Sequence, residues 1–181
     1  VVRTAPTSHL VDAVANIYGI KVHETPVGFK YVGALMESEP VIVGGEESGG
    51  LSVKGHVPEK DGILATLLMA ELVAKEERSL QAILKEIQDK AGYYYTDRIN
   101  IPIAPEKKEG ILKFLGAGLE EIGNFKVQSL NRIDGFKFLL PEGEWVAFRA
   151  SGTEPLFRCY IEARSQAHLA ELKAACQELL K

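Results

Sequence analysis

The first half of the chain alternates short apolar segments with longer amphipathic ones. The apolar segments predict strands over residues 1–4, 20–24 and 41–43, and Val41-Ile42-Val43 is apolar on both faces, as in the buried strands of parallel sheets. The amphipathic segments predict helices from an N-cap at Thr7 or Ser8 to about residue 18, and over residues 27–36, 60–76 and 79–90. Strands alternating with helices predict an α/β domain, with a mixed, mostly parallel sheet and flanking helices.

The pattern changes near Ala91-Gly92, where we expect a domain boundary. Beyond it we predict strands over residues 98–103, 126–133, 136–140, 144–148 and 157–163, with Asp134-Gly135 forming a two-residue hairpin turn. We predict one helix over residues 105–121 and a last one after an N-cap at Ser165. The last helix has its apolar residues on one face: Leu169, Leu172, Cys176 and Leu179. We thus predict that residues 1–92 form the α/β domain, and we expect its N-terminal part to be truncated. Residues 93–181 are predicted to form a smaller α+β domain with an antiparallel sheet and two helices.

Composition narrows the class of protein without identifying it. The 181 residues are 46% hydrophobic and 25% charged, with a net charge of −4, which gives no reason to expect a nucleic-acid partner. No apolar run is long enough to span a bilayer, so we expect no membrane segment. Cys159 and Cys176 lie in a strand pattern and a helix pattern without metal-ligand spacing, which favours buried thiols in a reducing, cytoplasmic compartment. Because Val1 already belongs to a predicted strand, we expect the chain to be a piece of a longer protein.

The most informative polar segment is the loop that follows residue 148. Ser151, Gly152 and Thr153 supply two hydroxyls and consecutive backbone N–H groups that can curl around an oxyanion. Arg149 and Arg158 flank them, and a guanidinium matches phosphate oxygens in a bidentate way. The alternative is a polar turn with solvated arginines. The two flanking arginines favour a phosphate site.

Three weaker segments lie in the first half. Residues 45–50, Gly-Glu-Glu-Ser-Gly-Gly, follow a predicted strand, where α/β sheets bind ligands, but they also suit a solvated turn. Residues 56–62 begin the longest predicted helix. His56 and the acidic residues there suit capping, while Lys60, at the positive end of the helix dipole, is a candidate for proton transfer. Lys30, in the segment 25–30, is a candidate phosphate or sugar contact.

Taken in order, these segments resemble the C-terminal half of the α-D-phosphohexomutases, the phosphoglucomutase/phosphomannomutase family. The resemblance rests on residues 2–8, 25–30, 45–50, 56–62 and 149–158 and covers essentially the whole chain. It implies that the chain supplies the third and fourth of four domains.

The resemblance also implies roles for individual residues. Glu46, Ser48 and Lys30 would contact the sugar, and Lys60, with His56 beside it, would be a candidate acid/base. The loop residues would grip the phosphate that is not being transferred: Arg149, Ser151, Gly152, Thr153 and Arg158.

The implied reaction moves a phosphoryl group between C1 and C6 of a hexose phosphate through glucose 1,6-bisphosphate, using a phosphoserine and Mg²⁺. The nucleophile and metal loops would lie in the first two domains, so we expect no metal site in this chain and no turnover by it alone. Gly50 stands where many mannose- or glucosamine-directed bacterial relatives have histidine, which favours glucose phosphates. Two alternatives remain: a stand-alone phosphosugar-binding module without catalysis, and a fragment of a phosphoglucosamine mutase.

Overall fold

A computed structural model describes residues 1–152 and 154–180. The chain divides into two compact units, Val1–Tyr93 and a second unit from Tyr94 onwards. No helix among the described residues combines the length and the apolar character needed to cross a membrane.

The first unit alternates strands and helices, as the sequence predicts. Its elements are β1 (Val2–Thr4), α1 (Leu10–Ile17), β2 (His23–Thr25), α2 (Phe29–Ser38), β3 (Val43–Gly45), β4 (Leu51–Val53), α3 (Gly62–Glu76) and α4 (Leu80–Ala91). The strand order is β2-β1-β3-β4, with β1 parallel to both β2 and β3, and β3 antiparallel to β4. The mixed, mostly parallel sheet of the predicted α/β class is confirmed.

The core of the first unit joins α2 to the sheet. Val2, Phe29, Val32 and Val41 are buried together there. Gly44 allows the helix to approach closely, because a Cβ built on it would lie 2.4 Å from Cγ1 of Val32. This packing places α2 directly against β3, just before the glycine-rich loop that follows the strand.

The first unit differs from prediction at several boundaries: α1 follows an N-cap at His9 rather than at Thr7 or Ser8, β2 begins at His23 rather than at residue 20, and α2 begins at Phe29 rather than at residue 27. The strand predicted over residues 41–43 begins only at Val43, because Val41 packs against α2 while Ile42 is 46% exposed. Strand β4 has three residues and was not predicted, since so short a segment carries no periodic signal. Helix α3 begins at Gly62 rather than near residue 60, because the side chain of Asp61 caps it and leaves Lys60 outside the helix.

The second unit is built on an antiparallel sheet. Its elements are β5 (Tyr95–Pro102), a 3₁₀ turn (Pro105–Lys107), α5 (Lys108–Ala117), β6 (Glu121–Ile122), β7 (Phe125–Lys126), β8 (Ser129–Asn131), β9 (Phe136–Leu139), a 3₁₀ turn (Pro141–Gly143), β10 (Trp145–Ala150), β11 (Leu156–Ala163) and α6 (Gln166–Leu179). The order of the large sheet is β5-β11-β10-β9-β8 with every neighbour antiparallel, and β6 and β7 form a separate hairpin. The predicted α+β class with an antiparallel sheet is confirmed.

Helix α6 packs on the sheet through the face that its periodicity predicts. Leu172 and Cys176 are fully buried in the core, and Leu169 and Leu179 pack against it. Ser165 caps the helix by accepting a hydrogen bond from the N–H of His168. The thiols of Cys159 and Cys176 are free and buried, and burial raises the pKa of the Cys159 thiol.

Several predictions for the second unit are wrong in detail. Strand β5 begins at Tyr95 rather than at residue 98, and the strand predicted over residues 126–133 is divided, with β7 ending at Lys126 and β8 spanning Ser129–Asn131. The helix predicted over residues 105–121 ends at Ala117, because Gly118 takes a positive φ of 91° that stops it. Asp134-Gly135 does not form a two-residue turn, since β8 ends at Asn131 and residues 132–135 all lie between the strands. Gly135 is still required there: its φ is +74°, and a Cβ would lie 2.4 Å from the carbonyl oxygen of Phe148.

Candidate functional site

Two arginines stand at the base of the loop between β10 and β11. Arg149 and Arg158 are directly opposite partners in the antiparallel ladder. Opposite residues of such a pair project from the same face of the sheet. The strand register therefore places two guanidinium-bearing side chains side by side where the loop begins and ends.

Each arginine has a carboxylate neighbour. Nε of Arg149 lies 2.9 Å from Oδ2 of Asp134, and Nη2 of Arg158 lies 3.3 Å from Oε2 of Glu154. The Arg149 side chain is the better buried, 21% exposed against 39% for Arg158. Burial acts to lower the pKa of Arg149, but the carboxylate of Asp134 outweighs it and the pKa is raised, so the charge is retained. The site holds two permanent cations, of which Arg149 is the less exposed.

The loop itself is closed by its own hydrogen bonds. The N–H of Ser151 donates to the carbonyl of Leu156 over 2.9 Å, and Oγ of Ser151 accepts from the N–H of Glu154 over 3.1 Å. Ser151 is buried, while Gly152 is exposed. The predicted contact Thr153 lies outside the described residues. These hydrogen bonds fix the shape of the loop and leave Gly152 exposed to solvent.

The segment that follows β5 supports this loop from the side. The N–H of Ile103 donates to the carbonyl of Pro155 over 2.9 Å, and Nζ of Lys108 donates to the carbonyl of Ser151 over 2.9 Å. Lys108 and Gly152 also line one cavity of about 250 Å³. Sequence reasoning missed Lys108, although lysines in the first turn of a helix oppose the helix dipole and so hint at another role.

In the first unit, Glu46 is tied to two loops that follow parallel strands. Its Oε1 accepts a hydrogen bond from the N–H of Gly28 over 3.0 Å, and its own N–H donates to the carbonyl of Gly50 over 2.9 Å. Because β2 and β3 are both parallel to β1, their carboxyl ends lie at one edge of the sheet. The predicted sugar-contacting carboxylate is therefore held in place at the ligand-binding edge of an α/β sheet.

Gly50 brings the lysine of the next segment to this edge. A Cβ built on Gly50 would lie 3.2 Å from Oε2 of Glu46 and 3.5 Å from both Cβ and Cδ of Lys60. Nζ of Lys60 is 3.0 Å from Oε1 of Glu59 and 5.9 Å from the ring centroid of Phe29. Glu46 and Lys60, predicted separately from the sequence, are neighbours in the structure.

The remaining candidates of the first unit are placed differently. Ser48 and Lys30 are exposed, and Nζ of Lys30 lies 4.8 Å from the ring centroid of Tyr31. Nε2 of His56 lies 3.0 Å from Oδ2 of Asp61, the residue that caps α3. The backbone N–H of Leu64, and then His56, lower the pKa of Asp61. The structure thus gives His56 a capping partner.

No metal cluster occurs in the described part of the chain. Groups of three or more His, Cys, Asp and Glu side chains that could hold an ion are absent from residues 1–152 and 154–180. No chemical step is assigned to a metal within this chain.

Comparison with known proteins identifies the family. The model described as phosphoglucomutase/phosphomannomutase, alpha/beta/alpha domain III, matches residues 1–91, and the model described as phosphoglucomutase/phosphomannomutase, C-terminal domain, matches residues 64–179. The chain belongs to this family. The resemblance drawn from short sequence segments is confirmed.

Individual members of the family are similar to this chain over almost all of its length. A phosphoglucomutase of Komagataeibacter xylinus is 34% identical over 98% of this chain and 35% of its own length, and a phosphoglucomutase/phosphomannomutase of Thermococcus kodakarensis is 34% identical over 91% and 34%. The solved structure of a putative phosphomannomutase from Thermus thermophilus superposes with a TM-score of 0.78 at 30% identity, over 98% of this chain and 35% of that one. The chain spans about a third of the length of these relatives.

Proposed function

We propose that this chain is the sugar- and phosphate-binding half of a phosphohexomutase. The whole protein interconverts a hexose 1-phosphate and a hexose 6-phosphate through a 1,6-bisphosphate. Residues 1–92 bind the sugar and residues 93–181 bind the phosphate that is not being transferred. The observation that carries the proposal is the direct cross-strand pairing of Arg149 with Arg158 at the base of the loop.

The pair and its loop suit a phosphate dianion. Each guanidinium can donate two parallel hydrogen bonds to phosphate oxygens, and the exposed backbone at Gly152 allows close approach. The ion pair of Arg158 with Glu154 is exposed, so a phosphate can replace it at a cost of about 0–1 kcal/mol. The better-buried contact of Arg149 with Asp134 orients that arginine. Ser151 and Thr153 complete the proposed contact set.

The sugar side of the proposal rests on the anchored carboxylate. Because Oε1 of Glu46 accepts a hydrogen bond from the N–H of Gly28, the carboxylate has a fixed orientation. From that orientation it can accept further hydrogen bonds from ring hydroxyls. Ser48 and Lys30 are proposed as further sugar contacts. Lys60, next to Glu46 at Gly50, is the proposed acid/base, and His56 is proposed as a second candidate for that role.

Phosphoryl transfer itself is assigned to the rest of the protein. We propose that a phosphoserine and Mg²⁺ are held by the two domains that complete the family architecture, where the metal ion would offset phosphate charge. The substrate is proposed to be a glucose phosphate, because Gly50 leaves the position beside Glu46 without a side chain. The names of the relatives support a mutase over a stand-alone binding module or a phosphoglucosamine mutase fragment.

The phosphate assignment is tested by titrating the 181-residue chain with glucose 1-phosphate and with glucose 6-phosphate, followed by the amide NMR signals of the loop. We expect Gly152 to shift with either ligand in the millimolar range. Arg149→Ala and Arg158→Ala should each weaken both ligands by roughly tenfold or more, the size of a charge-assisted hydrogen bond. Arg78→Ala, which removes an arginine of exposed ion pairs in the first unit, is the control and should change nothing.

Two results would count against the proposal. If neither ligand shifts Gly152 at millimolar concentration, the phosphate site is absent. If either arginine variant weakens only one of the two isomers, the loop does not hold both ends of a reorienting bisphosphate. The chain alone should convert no glucose 1-phosphate into glucose 6-phosphate, and measurable turnover by it would contradict the assignment of transfer to other domains.

A further inference from the structure

Lys108 is the first residue of α5 and contacts the backbone of the phosphate loop. Its Nζ donates a hydrogen bond of 2.9 Å to the carbonyl oxygen of Ser151. Helix α5 is fixed to the core of the unit, because Leu115 is fully buried and Ile111 and Leu112 pack against the same core. The half-buried ammonium therefore holds the loop from a rigid element.

The geometry of the peptide bond converts this contact into an orientation. In a trans peptide the C=O and the following N–H point in opposite directions within one plane. The peptide between Ser151 and Gly152 is not cis. Because the carbonyl of Ser151 points towards Lys108, the N–H of Gly152 points away from Lys108.

A second contact prevents the loop from turning as a whole. The N–H of Ile103, which lies just after β5, donates to the carbonyl of Pro155 at the other end of the loop over 2.9 Å. The loop is thus held at Ser151 and at Pro155 by one segment of chain. With both ends fixed, the peptide between Ser151 and Gly152 cannot rotate without breaking the contact with Lys108.

We propose that Lys108 is a positioning residue for the phosphate loop, which locks the Ser151–Gly152 peptide so that the N–H of Gly152 is aimed at the bound phosphate before the ligand arrives. The inference rests on the phosphate-binding role proposed for this loop. Lys108 acts through the backbone and does not touch the phosphate. An N–H that is oriented in advance costs no ordering entropy on binding, so loss of the contact with Lys108 weakens affinity because the peptide must then be ordered when the ligand binds.

The experiment compares variants of the 181-residue chain. Lys108→Met removes the ammonium and keeps the length of the side chain, and Lys108→Arg restores a charged donor. Lys113→Met is the matched control, since Lys113 lies in the same helix with an exposed ion pair to Glu109. Two quantities are measured by NMR: the carbonyl ¹³C shift of Ser151 without ligand, and the affinity for glucose 6-phosphate at several salt concentrations.

We expect Lys108→Met to move the Ser151 carbonyl signal and to weaken glucose 6-phosphate by roughly tenfold. Lys108→Arg should recover most of the affinity, and Lys113→Met should match the unchanged chain. The loss of affinity in Lys108→Met should persist at high salt, where the attraction of charges that do not touch the ligand is screened, because it comes from the orientation of the loop. Lys108→Ala, which also removes the donor, replaces Lys108→Met if the NMR spectrum shows that the latter does not fold.

Each opposite result overturns the proposal. An unmoved Ser151 carbonyl signal shows that the contact does not form, and full affinity in Lys108→Met shows that it does not matter. Failure of Lys108→Arg to recover affinity shows that the donor is not what the loop needs, and a loss in Lys108→Met that disappears at high salt shows that Lys108 acts on the phosphate only through its charge. Absence of binding by the unchanged chain contradicts the proposed function, and the Ser151 carbonyl shift still tests the contact.

Discussion

Gly135 offers a sharp test of how the structure supports Arg149. It lies next to Asp134 and has a positive φ of 74°. A Cβ at this position would lie 2.4 Å from the carbonyl oxygen and 3.3 Å from the carbonyl carbon of Phe148, and 3.1 Å from Cγ of Arg149. We predict that Gly135→Ala destabilises the second unit and displaces Arg149.

The size of the effect can be worked out with a control in the same unit. Gly143 has a nearly identical φ of 76°, but a Cβ there would meet nothing within 4 Å. Gly143→Ala therefore incurs only the left-handed backbone cost, about 1–2 kcal/mol. Gly135→Ala incurs the same cost and also an overpacking cost of about 1–3 kcal/mol, because the contacted atoms belong to the backbone of β10 and cannot rotate away.

The assay is thermal unfolding followed by the fluorescence of Trp145, the single tryptophan of the chain, which is buried in the second unit. The extra cost at Gly135 should lower the midpoint by about 10 °C beyond the loss in Gly143→Ala. Gly135→Ala should also weaken glucose 6-phosphate, whereas Gly143→Ala should not. Equal midpoints for the two variants would refute the close approach of Gly135 to β10 and the reasoning built on it.

The other predictions concern pH, burial and substrate. Glu144 raises the pKa of His168 above its ordinary value near 6.5. The contact therefore stabilises the fold fully below pH 6.5, and this stabilisation is lost as pH rises through the raised pKa. Thermal midpoints should fall more between pH 6 and 9 in the unchanged chain than in His168→Gln, and parallel curves would contradict the contact. Leu172→Ala, at a fully buried position, should reduce the free energy of unfolding by about 3 kcal/mol. Phe114→Ala, at a position 46% exposed in another helix of the unit, should reduce it by less than about 1 kcal/mol, and comparable losses would contradict the burial. In the full-length protein, Gly50→His should raise the activity on mannose 1-phosphate relative to glucose 1-phosphate by roughly tenfold, and an unchanged ratio in enzyme assays would remove Gly50 as a determinant.

Prediction from sequence succeeded where an element is long enough to show its period. The faces of α6 and the class of both sheets followed from spacing alone, because several turns or several alternating residues report the same environment. It failed for β4, β6 and β7, which have two or three residues each and depend on partners elsewhere in the chain. It also overextended the helix that ends at Ala117, since the positive φ of Gly118 is a property of the fold rather than of periodicity.

For the candidate site too, some residues could be found from the sequence and others could not. Arg149 and Arg158 could be found because they lie only nine residues apart, on either side of one short loop, whereas their alignment is a matter of strand register. Lys108 lies 43 residues from Ser151, and no local pattern joins the two. Groups that touch a ligand tend to stand together in short segments, and the groups that orient them come from distant segments that the fold brings near.

The anchored carboxylate of Glu46 and the paired arginines prepare for a ligand by different means. Glu46 is held by the backbone N–H of Gly28, whose φ of 128° is one that other residues rarely adopt, so under the proposed function it is an acceptor that needs no reordering to bind sugar hydroxyls. The arginines are held by carboxylates, and here exposure decides the outcome. The exposed partner of Arg158 can leave at little cost, while the better-buried Asp134 stays and aims Arg149. Replacing Asp134 should therefore weaken phosphate binding although it removes a negative charge, the opposite of what net charge alone predicts, and affinity that rises in Asp134→Asn would show that the carboxylate competes with the phosphate instead.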